Sequence, residues 1–209
     1  FENADNGTYQ GIYVQTLSLA NNPYMKEYPT CIAKTGSKVD YINLRGCGIS
    51  KIPEGSFTGE KSAYLVSLDL SYNHLDDLPY EFHAGNMPYF YGIDISYNRF
   101  TKFPFEPFDC ASLTMMAIRG QRNEKGERCL KEWPTGVYNH TGLRALYMGS
   151  NDLGKIDDTI SYLIYYLDIS DNPNIIFDAS DICYYWQRGT YFLLYDKTQD
   201  IRNCPLMLD

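Results

Sequence analysis

The sequence contains little that points to enzyme chemistry or to a metal site. It holds three histidines, His74, His83 and His140, and none stands beside a Ser or Cys nucleophile in a catalytic pattern. Glycine motifs that bind phosphate or dinucleotides are absent, and the six cysteines include no C-x-x-C pair of the kind that binds zinc. The acidic pairs Asp76-Asp77 and Asp157-Asp158 offer too few oxygens for calcium. We therefore predict no enzymatic activity, no cofactor and no metal.

Basic side chains and long apolar runs are also scarce. Lys and Arg number 18 against 26 Asp and Glu, so the formal net charge is −8. A surface of this sign repels phosphate groups, which makes nucleic acid an unexpected partner. No apolar stretch is long enough to span a membrane, and no signal peptide is present, so we expect no membrane insertion within this chain. Because the chain begins with Phe1 rather than Met, we expect that a leader or an upstream domain preceded it.

One spacing of apolar residues recurs along the chain, and its clearest copy is Leu65–Pro79, which reads LVSLDLSYNHLDDLP. Leu68 and Leu70 lie two residues apart, so both side chains face one side of a short strand and Asp69 faces the other. Asn73 follows where the chain turns off the strand, and backbone groups buried at such a turn need hydrogen-bond partners. The pattern therefore predicts a short strand, an Asn-stabilised turn and a return segment.

The same frame occurs seven times, with starts at residues 14, 39, 65, 90, 113, 143 and 164. The spacing is roughly 25 residues. The copy that begins at Leu113 is irregular, because Gln121 stands where Asn is expected and a polar insertion, 122–128, follows it. We expect this insertion to project from the edge and to be a candidate contact. In the other copies the turn slot holds a residue that we predict to be structural: Asn22, Cys47, Asn73, Asn98, Asn151 and Asn172.

This L-x-x-L-x-L-x-x-N-x-L frame resembles the leucine-rich repeat family, and more closely its bacterial cell-surface or secreted members. The resemblance implies an α/β fold, a leucine-rich repeat solenoid. It would be a right-handed β-α superhelix with a curved parallel sheet on the concave side and short helical or 3₁₀ segments on the convex side. The expected organisation is a lead-in or partial cap at 1–13, seven repeats at 14–175, and a degenerate last repeat or C-terminal cap at 176–209. Phe57, Phe82 and Phe108 are expected to fill the convex half of the core.

The cysteines leave two interpretations open. Cys47 is explained by its turn slot, and the other five are either small buried hydrophobic residues or disulfide partners. Cys183 and Cys204, both in the expected cap, form the candidate disulfide.

The outward strand positions and the residues just beyond them define a candidate binding face. It is rich in Tyr, of which the chain has 20, and combines this residue with Asp and Arg, a mixture that favours protein contacts. The Asp residues have a second interpretation as ordinary strand residues of this family. The candidate binding residues are Tyr41, Arg45, Asp69, Tyr72, Asp94, Tyr97, Arg119, Tyr147, Tyr166 and Asp168.

Three functions compete at this stage. The resemblance implies a non-enzymatic recognition domain that binds a protein partner, such as a host or cell-surface protein, through its concave face, in an extracellular or cell-surface location. The alternative is a carbohydrate-binding surface module in which Tyr rings stack on sugars. A third is a ligase-type effector whose catalytic part lies outside these 209 residues.

Overall fold

Eight short strands form one parallel sheet in a computed structural model of the chain, and the strand order follows the sequence. The structure describes residues 13–30, 32, 38–58, 62–83, 87–104, 112–133, 142–155, 164–176 and 192–194. The fold is the leucine-rich repeat solenoid that the repeat frame predicts. The strands are β1 Tyr13–Ser18, β2 Lys38–Asn43, β3 Ser67–Asp69, β4 Gly92–Asp94, β5 Met115–Ala117, β6 Ala145–Tyr147, β7 Tyr166–Asp168 and β8 Phe192–Leu194.

The register places equivalent repeat positions side by side. Ile42 pairs with Leu68 and Leu68 with Ile93, and the same row continues in both directions. Leu68, Ile93 and Leu146 are buried in one hydrophobic cluster, which confirms the predicted shared core. The segment 176–209, expected to be a last repeat or cap, contributes β8, which pairs in parallel with β7. Each repeat therefore buries its apolar side chains against the neighbouring repeats.

The return segments complete the core with aromatic rings and short helical turns. Within the described ranges, 3₁₀ turns occur at Ser62–Tyr64 and at Tyr80–His83, as expected for the segments between strands. Phe57 and Phe82 are buried as expected, with ring centroids 4.8 Å apart. Tyr28 extends this aromatic row on one side and Phe90 on the other, at 5.5 Å each. Phe108 lies outside the described residues.

The Asn slots form a ladder of buried amides. Asn98 Nδ2 donates to Leu70 O in the preceding repeat and to Ile95 O in its own, at 2.9 and 3.0 Å, while its Oδ1 accepts from Leu75 N at 2.9 Å. Asn73, Asn151 and Asn172 bond in the same manner. These bonds satisfy the backbone groups that leave the sheet at each turn.

Two repeats fill the slot with other residues. Cys47 Sγ contacts Leu19 O at 3.0 Å, as the weak thiol donor expected there. Gln121, which the sequence marks only as an irregularity, takes over the Asn role. Its Nε2 donates to Ile95 O and Arg119 O at 3.0 Å each, and its Oε1 accepts from Phe100 N at 3.1 Å.

Other predictions fall outside the described residues. Cys183 and Cys204 lie there, as do most of the two segments expected to be caps, so the disulfide and the cap boundaries stay predictions. Cys47 and Cys129 are free thiols. No helix within the described ranges is long and apolar enough to cross a membrane. Over the same residues, no group of three or more His, Cys, Asp or Glu is placed to hold a metal ion.

Candidate functional site

The outward side of β1–β7, which we call the sheet face, carries the predicted binding residues. Tyr41 belongs to the column that pairs Thr16, Ser67 and Gly92, and Asp69 pairs with Asp94 in the next column. Arg45 and Arg119 lie beyond the strand ends, two residues after the column that contains Asp69 and Asp94. The structure therefore aligns the predicted residues on one surface, with the register that the repeat frame predicts.

Just before the turn slot, the equivalent backbone position of all seven repeats adopts positive φ, and we call this row the ridge. It is held by Tyr72 at φ 58° and Tyr97 at φ 57°, whereas glycine occupies it at Gly46 and Gly120. The left-handed region is crowded for side chains other than Gly, Asn and Asp, and it is a clear outlier for a bulky aromatic residue. The remaining ridge residues are Asn21, Ser150 and Asp171.

The two ridge tyrosines form a stack that spans several repeats. Their ring centroids are 4.3 Å apart with an interplanar angle of 27°, and their exposed fractions are 44% and 40%. Arg45 covers the outer face of Tyr72, with its Cζ 3.9 Å from the ring centroid. On the opposite side Tyr97 lies over Gly120, where a Cβ would come within 2.5 Å of the Tyr97 ring. Arg45 and Tyr97 thus cover the two faces of the Tyr72 ring. The edges of the two tyrosine rings remain available to a partner.

Arg45 is held by a hydrogen-bond relay as well as by the ring. Its Nη1 donates to Ser71 Oγ at 3.1 Å. The Ser71 hydroxyl in turn donates to Asp69 Oδ1 at 2.6 Å, and Ser71 N bonds to the same oxygen at 2.9 Å. Asp69 therefore fixes the hydroxyl so that its lone pairs are available to the guanidinium.

A second Arg–Tyr group lies on the other half of the sheet face. Arg119 stacks on Tyr147 at 4.4 Å, and the Tyr147 and Tyr166 rings are 4.9 Å apart. Arg119 Nε and Nη2 both donate to Asp168 Oδ2, at 2.9 and 2.7 Å. The ion pair crosses the intervening repeat at Gly149, where a Cβ would lie 3.1 Å from Asp168 Oδ1. Asp168 is only 4% exposed, so its carboxylate serves Arg119 in this structure.

The carboxyl of Asp94 is half-buried and lies beside Asp69 of the neighbouring strand β3. Burial raises its pKa above the usual range, and the charge of Asp69 adds to this effect. Hydrogen bonds from Ser96 and the charge of Arg119 oppose the shift without cancelling it. Burial likewise raises the pKa of Tyr97 and of Tyr147, so both phenols are neutral at physiological pH.

Several exposed tyrosines were not among the predicted binding residues. Tyr91 and Tyr165 precede β4 and β7 on the same side, and Tyr13 begins β1 with its hydroxyl bonded to Asp40. Their exposure separates these tyrosines from the buried aromatic residues, and it is known only from the tertiary structure. The position just before each strand is nevertheless visible in the frame, so the column could have been included.

The insertion 122–128 forms a small hairpin. Arg122 pairs with Arg128 in an antiparallel bridge, and Gly126 takes positive φ in the turn. Arg128 donates to Asn151 O at 2.7 Å and forms an ion pair with Asp171 at 2.7 Å. Arg122 reaches Ser150 O at 2.7 Å. The hairpin is thus bonded to the next two repeats, and its role as a contact stays a prediction.

Comparisons with known proteins agree with the repeat fold. A family model described as Leucine Rich Repeat matches residues 64–84. A leucine-rich repeat protein from Bacteroides eggerthii is 41% identical with a TM-score of 0.84, and it aligns with 99% of this chain and 34% of its own. One from Bacteroides thetaiotaomicron is 38% identical with a TM-score of 0.83, over 97% of this chain and 25% of its own.

A more distant match shows the fold alone. An internalin from Listeria monocytogenes is 17% identical with a TM-score of 0.58, over 94% of this chain and 60% of its own. No curated protein matches the chain. The chain spans a quarter to a third of the two Bacteroides structures. The repeat frame, the parallel solenoid and these matches together show that this chain belongs to the leucine-rich repeat family.

Proposed function

We propose that the chain is a non-enzymatic recognition domain that binds a protein partner through its sheet face. Leucine-rich repeat domains commonly serve as protein-interaction modules, although a fold alone does not name a ligand. The observation that carries the proposal is the concentration of exposed Tyr and ordered Arg on one surface. These residue types dominate the energetic centres of protein interfaces, and the rings of Tyr72 and Tyr97 are stacked before any partner arrives.

The stacking favours a protein ligand over a carbohydrate. A sugar bound by aromatic rings needs an open ring face, and Arg45 and Tyr97 cover the two faces of Tyr72. Arg119 covers one face of Tyr147 in the same way. Ring edges, phenol hydroxyls and guanidinium groups remain available, and these suit the polar and aromatic surface of a protein.

We place this recognition outside the cell or at its surface. The support is the resemblance of the repeat frame to bacterial cell-surface or secreted leucine-rich repeat proteins, together with the bacterial source of the two Bacteroides relatives. A host or cell-surface protein is the partner class that fits this setting.

A matched pair of triple variants tests the proposal. Once a partner has been identified by pull-down, Tyr41→Ala, Tyr97→Ala and Tyr147→Ala together should weaken its binding by about 30-fold or more, as loss of interface anchors does. The control removes three exposed tyrosines away from the sheet face, namely Tyr24→Ala, Tyr80→Ala and Tyr89→Ala. It should bind the partner like the unchanged chain in surface plasmon resonance.

The proposal is wrong if the sheet-face variant retains full affinity or if the control loses as much. A glycan array run beside the pull-down tests the carbohydrate alternative, and glycan binding that is lost in the sheet-face variant would favour it. A panel of hydrolase and ligase assays should show no activity for the isolated chain.

A further inference from the structure

The Arg45 guanidinium is held in one orientation by two kinds of contact. Stacking at 3.9 Å on Tyr72 fixes the plane of the group, and the bond from Nη1 to Ser71 Oγ fixes its rotation within that plane. Asp69 holds the Ser71 hydroxyl through a 2.6 Å bond. An arginine ordered in this way loses little side-chain entropy when it binds a further group.

The charge of Arg45 is not neutralised by any acid in the described part of the chain. Arg99 pairs with Glu124, Arg119 with Asp168 and Arg128 with Asp171, each at 2.7 to 2.8 Å. No carboxylate among the described residues comes within 4.0 Å of Arg45. The side-chain hydrogen bond that Arg45 makes uses Nη1 and goes to Ser71. Its Nε and Nη2 have no hydrogen-bond acceptor within the described ranges.

We propose that the Nε–Nη2 edge of Arg45 binds the carboxylate of an Asp or Glu side chain on the protein partner. This inference rests on the proposed function and specifies the partner's chemistry. Two parallel N–H donors of a guanidinium match the two oxygens of a carboxylate, and such charge-assisted pairs are stronger than neutral hydrogen bonds. Lysine cannot replace this geometry because its ammonium is a point charge.

The neighbouring ridge supports an acidic group. The Tyr72 and Tyr97 rings present their edges, which carry the positive part of the aromatic quadrupole. Their hydroxyls hydrogen-bond each other, so one phenol proton remains to donate. Tyr72 lies directly against Arg45, and Tyr97 supports the other face of the Tyr72 ring. Asp69, the nearest acid in the relay, already accepts two bonds at Oδ1 from Ser71. The partner carboxylate would therefore approach donors on the ridge and on Arg45.

The test uses a small acid and its uncharged isostere on the full chain. N-acetyl-glutamate N-methylamide is titrated while the arginine Nε–H signals are followed by NMR, and N-acetyl-glutamine N-methylamide serves as the control probe. We expect a saturable shift of the Arg45 signal with the Glu probe, at least about tenfold weaker binding of the Gln probe, and no comparable shift of the Arg99 signal, since Glu124 occupies that guanidinium.

Two variants separate the anchor from a general charge effect. Arg45→Lys keeps the charge but lacks the Nε–H signal, so its binding of the Glu probe is followed by the backbone amide signal of Ser71 and should no longer saturate. Tyr72→Asn removes the platform, keeps a residue suited to positive φ, and should weaken the binding. Lys125→Gln, on the hairpin, should leave it unchanged.

The inference is overturned if the Arg45 signal stays still, if both probes move it equally, or if Arg99 responds as strongly. Loss of the partner in the sheet-face triple variant without an Arg45 response would reject this anchor and leave the proposed function standing. An Arg45 response together with full partner affinity in the triple variant would reject the proposed function instead.

Discussion

At the scale of single residues, Tyr72 and Tyr97 occupy backbone conformations that work against stability. Left-handed φ costs a residue with a side chain roughly 1–2 kcal/mol, and Gly46 and Gly120 avoid that cost at the same ridge position. The stacking of Tyr72 on Tyr97 offsets part of this cost, since an aromatic pair contributes about 0.5–1.5 kcal/mol. Retaining two exposed aromatic residues at strained positions accords with a contact role for them.

The Asn ladder gives a prediction about stability. Asn98→Ala should lower the free energy of unfolding by roughly 1–3 kcal/mol, because the buried amide of Leu75 loses its acceptor. The carbonyls of Leu70 and Ile95 keep Asn73 and Gln121 as second donors. The exposed change Lys102→Ala should cost a few tenths of a kcal/mol. Urea unfolding followed by circular dichroism measures both, and equal midpoints would contradict a structural role for the Asn slot.

Asp94 gives a prediction about pH. Because burial raises its pKa in the folded state, ionisation opposes folding. The cost appears as pH rises from the unfolded-state pKa, about 3.9, through the folded-state pKa, and is constant above it. Asp94→Asn keeps an acceptor for Ser96 N and should raise the free energy of unfolding at neutral pH by roughly 0.5 kcal/mol, since the group retains some contact with water.

That gain should disappear in urea unfolding below the unfolded-state pKa, where Asp94 is protonated in both states. Asp76→Asn, an exposed change, serves as the control. A gain that persists unchanged in acid would show that ionisation is not its cause.

At the scale of elements, the hairpin 122–128 stabilises its neighbours. Asn123 organises it, since its Oδ1 accepts from Lys125 N and Glu127 N at 3.0 Å each. Arg128 then connects it to two later repeats through Asn151 O and Asp171. An insertion that interrupts the repeat in sequence thus joins several repeats in space.

Removing the Arg128 side chain tests this connection. Arg128→Gln should lower the free energy of unfolding by about 1 kcal/mol, with Lys125→Gln as the neutral control. The hydrogen bond from Arg128 holds the pKa of Asp171 below the usual range. The stabilisation by this ion pair is therefore present above the unfolded-state pKa of Asp171 and is lost as pH falls through its folded-state pKa. In the variant the Asp171 carbon signal should titrate at higher pH. An unchanged titration would contradict the ion pair.

At the scale of the whole molecule, one core connects repeats that are far apart in sequence. Leu68 and Leu146 belong to different repeats, yet both are fully buried in the same hydrophobic cluster. In a stack of this kind each repeat is stabilised by its immediate neighbours, so a local defect spreads to adjacent repeats first. We therefore expect that no single repeat folds by itself.

A cavity in the middle of the stack tests this coupling. Leu68→Ala should lower the free energy of unfolding by about 2–5 kcal/mol, and hydrogen exchange should accelerate in β2 and β4 as well as in β3. Ser67→Ala, on the outward side of the same strand, is the control. Faster exchange confined to β3 would argue against coupled repeats.

The sequence by itself determined the fold, because the repeat frame is a local property. Leu68 and Leu70 face inward as a consequence of strand geometry, and the Asn after each strand meets a need that the turn creates. The parallel sheet, the shared core and the alignment of the outward columns all follow from stacking identical units. The outward columns of the sheet therefore have the strand register that the repeat frame predicts.

Only the tertiary structure decided what the side chains on that face do. Arg119 crosses the Gly149 repeat to reach Asp168, which lies 49 residues away in sequence, and Arg45 joins Ser71 and Tyr72 in the next repeat. Gln121 fills an Asn slot with a longer side chain, and the hairpin folds back on later repeats. Each of these depends on distances between side chains on different repeats, and the repeat frame fixes residue types and spacing but not those distances.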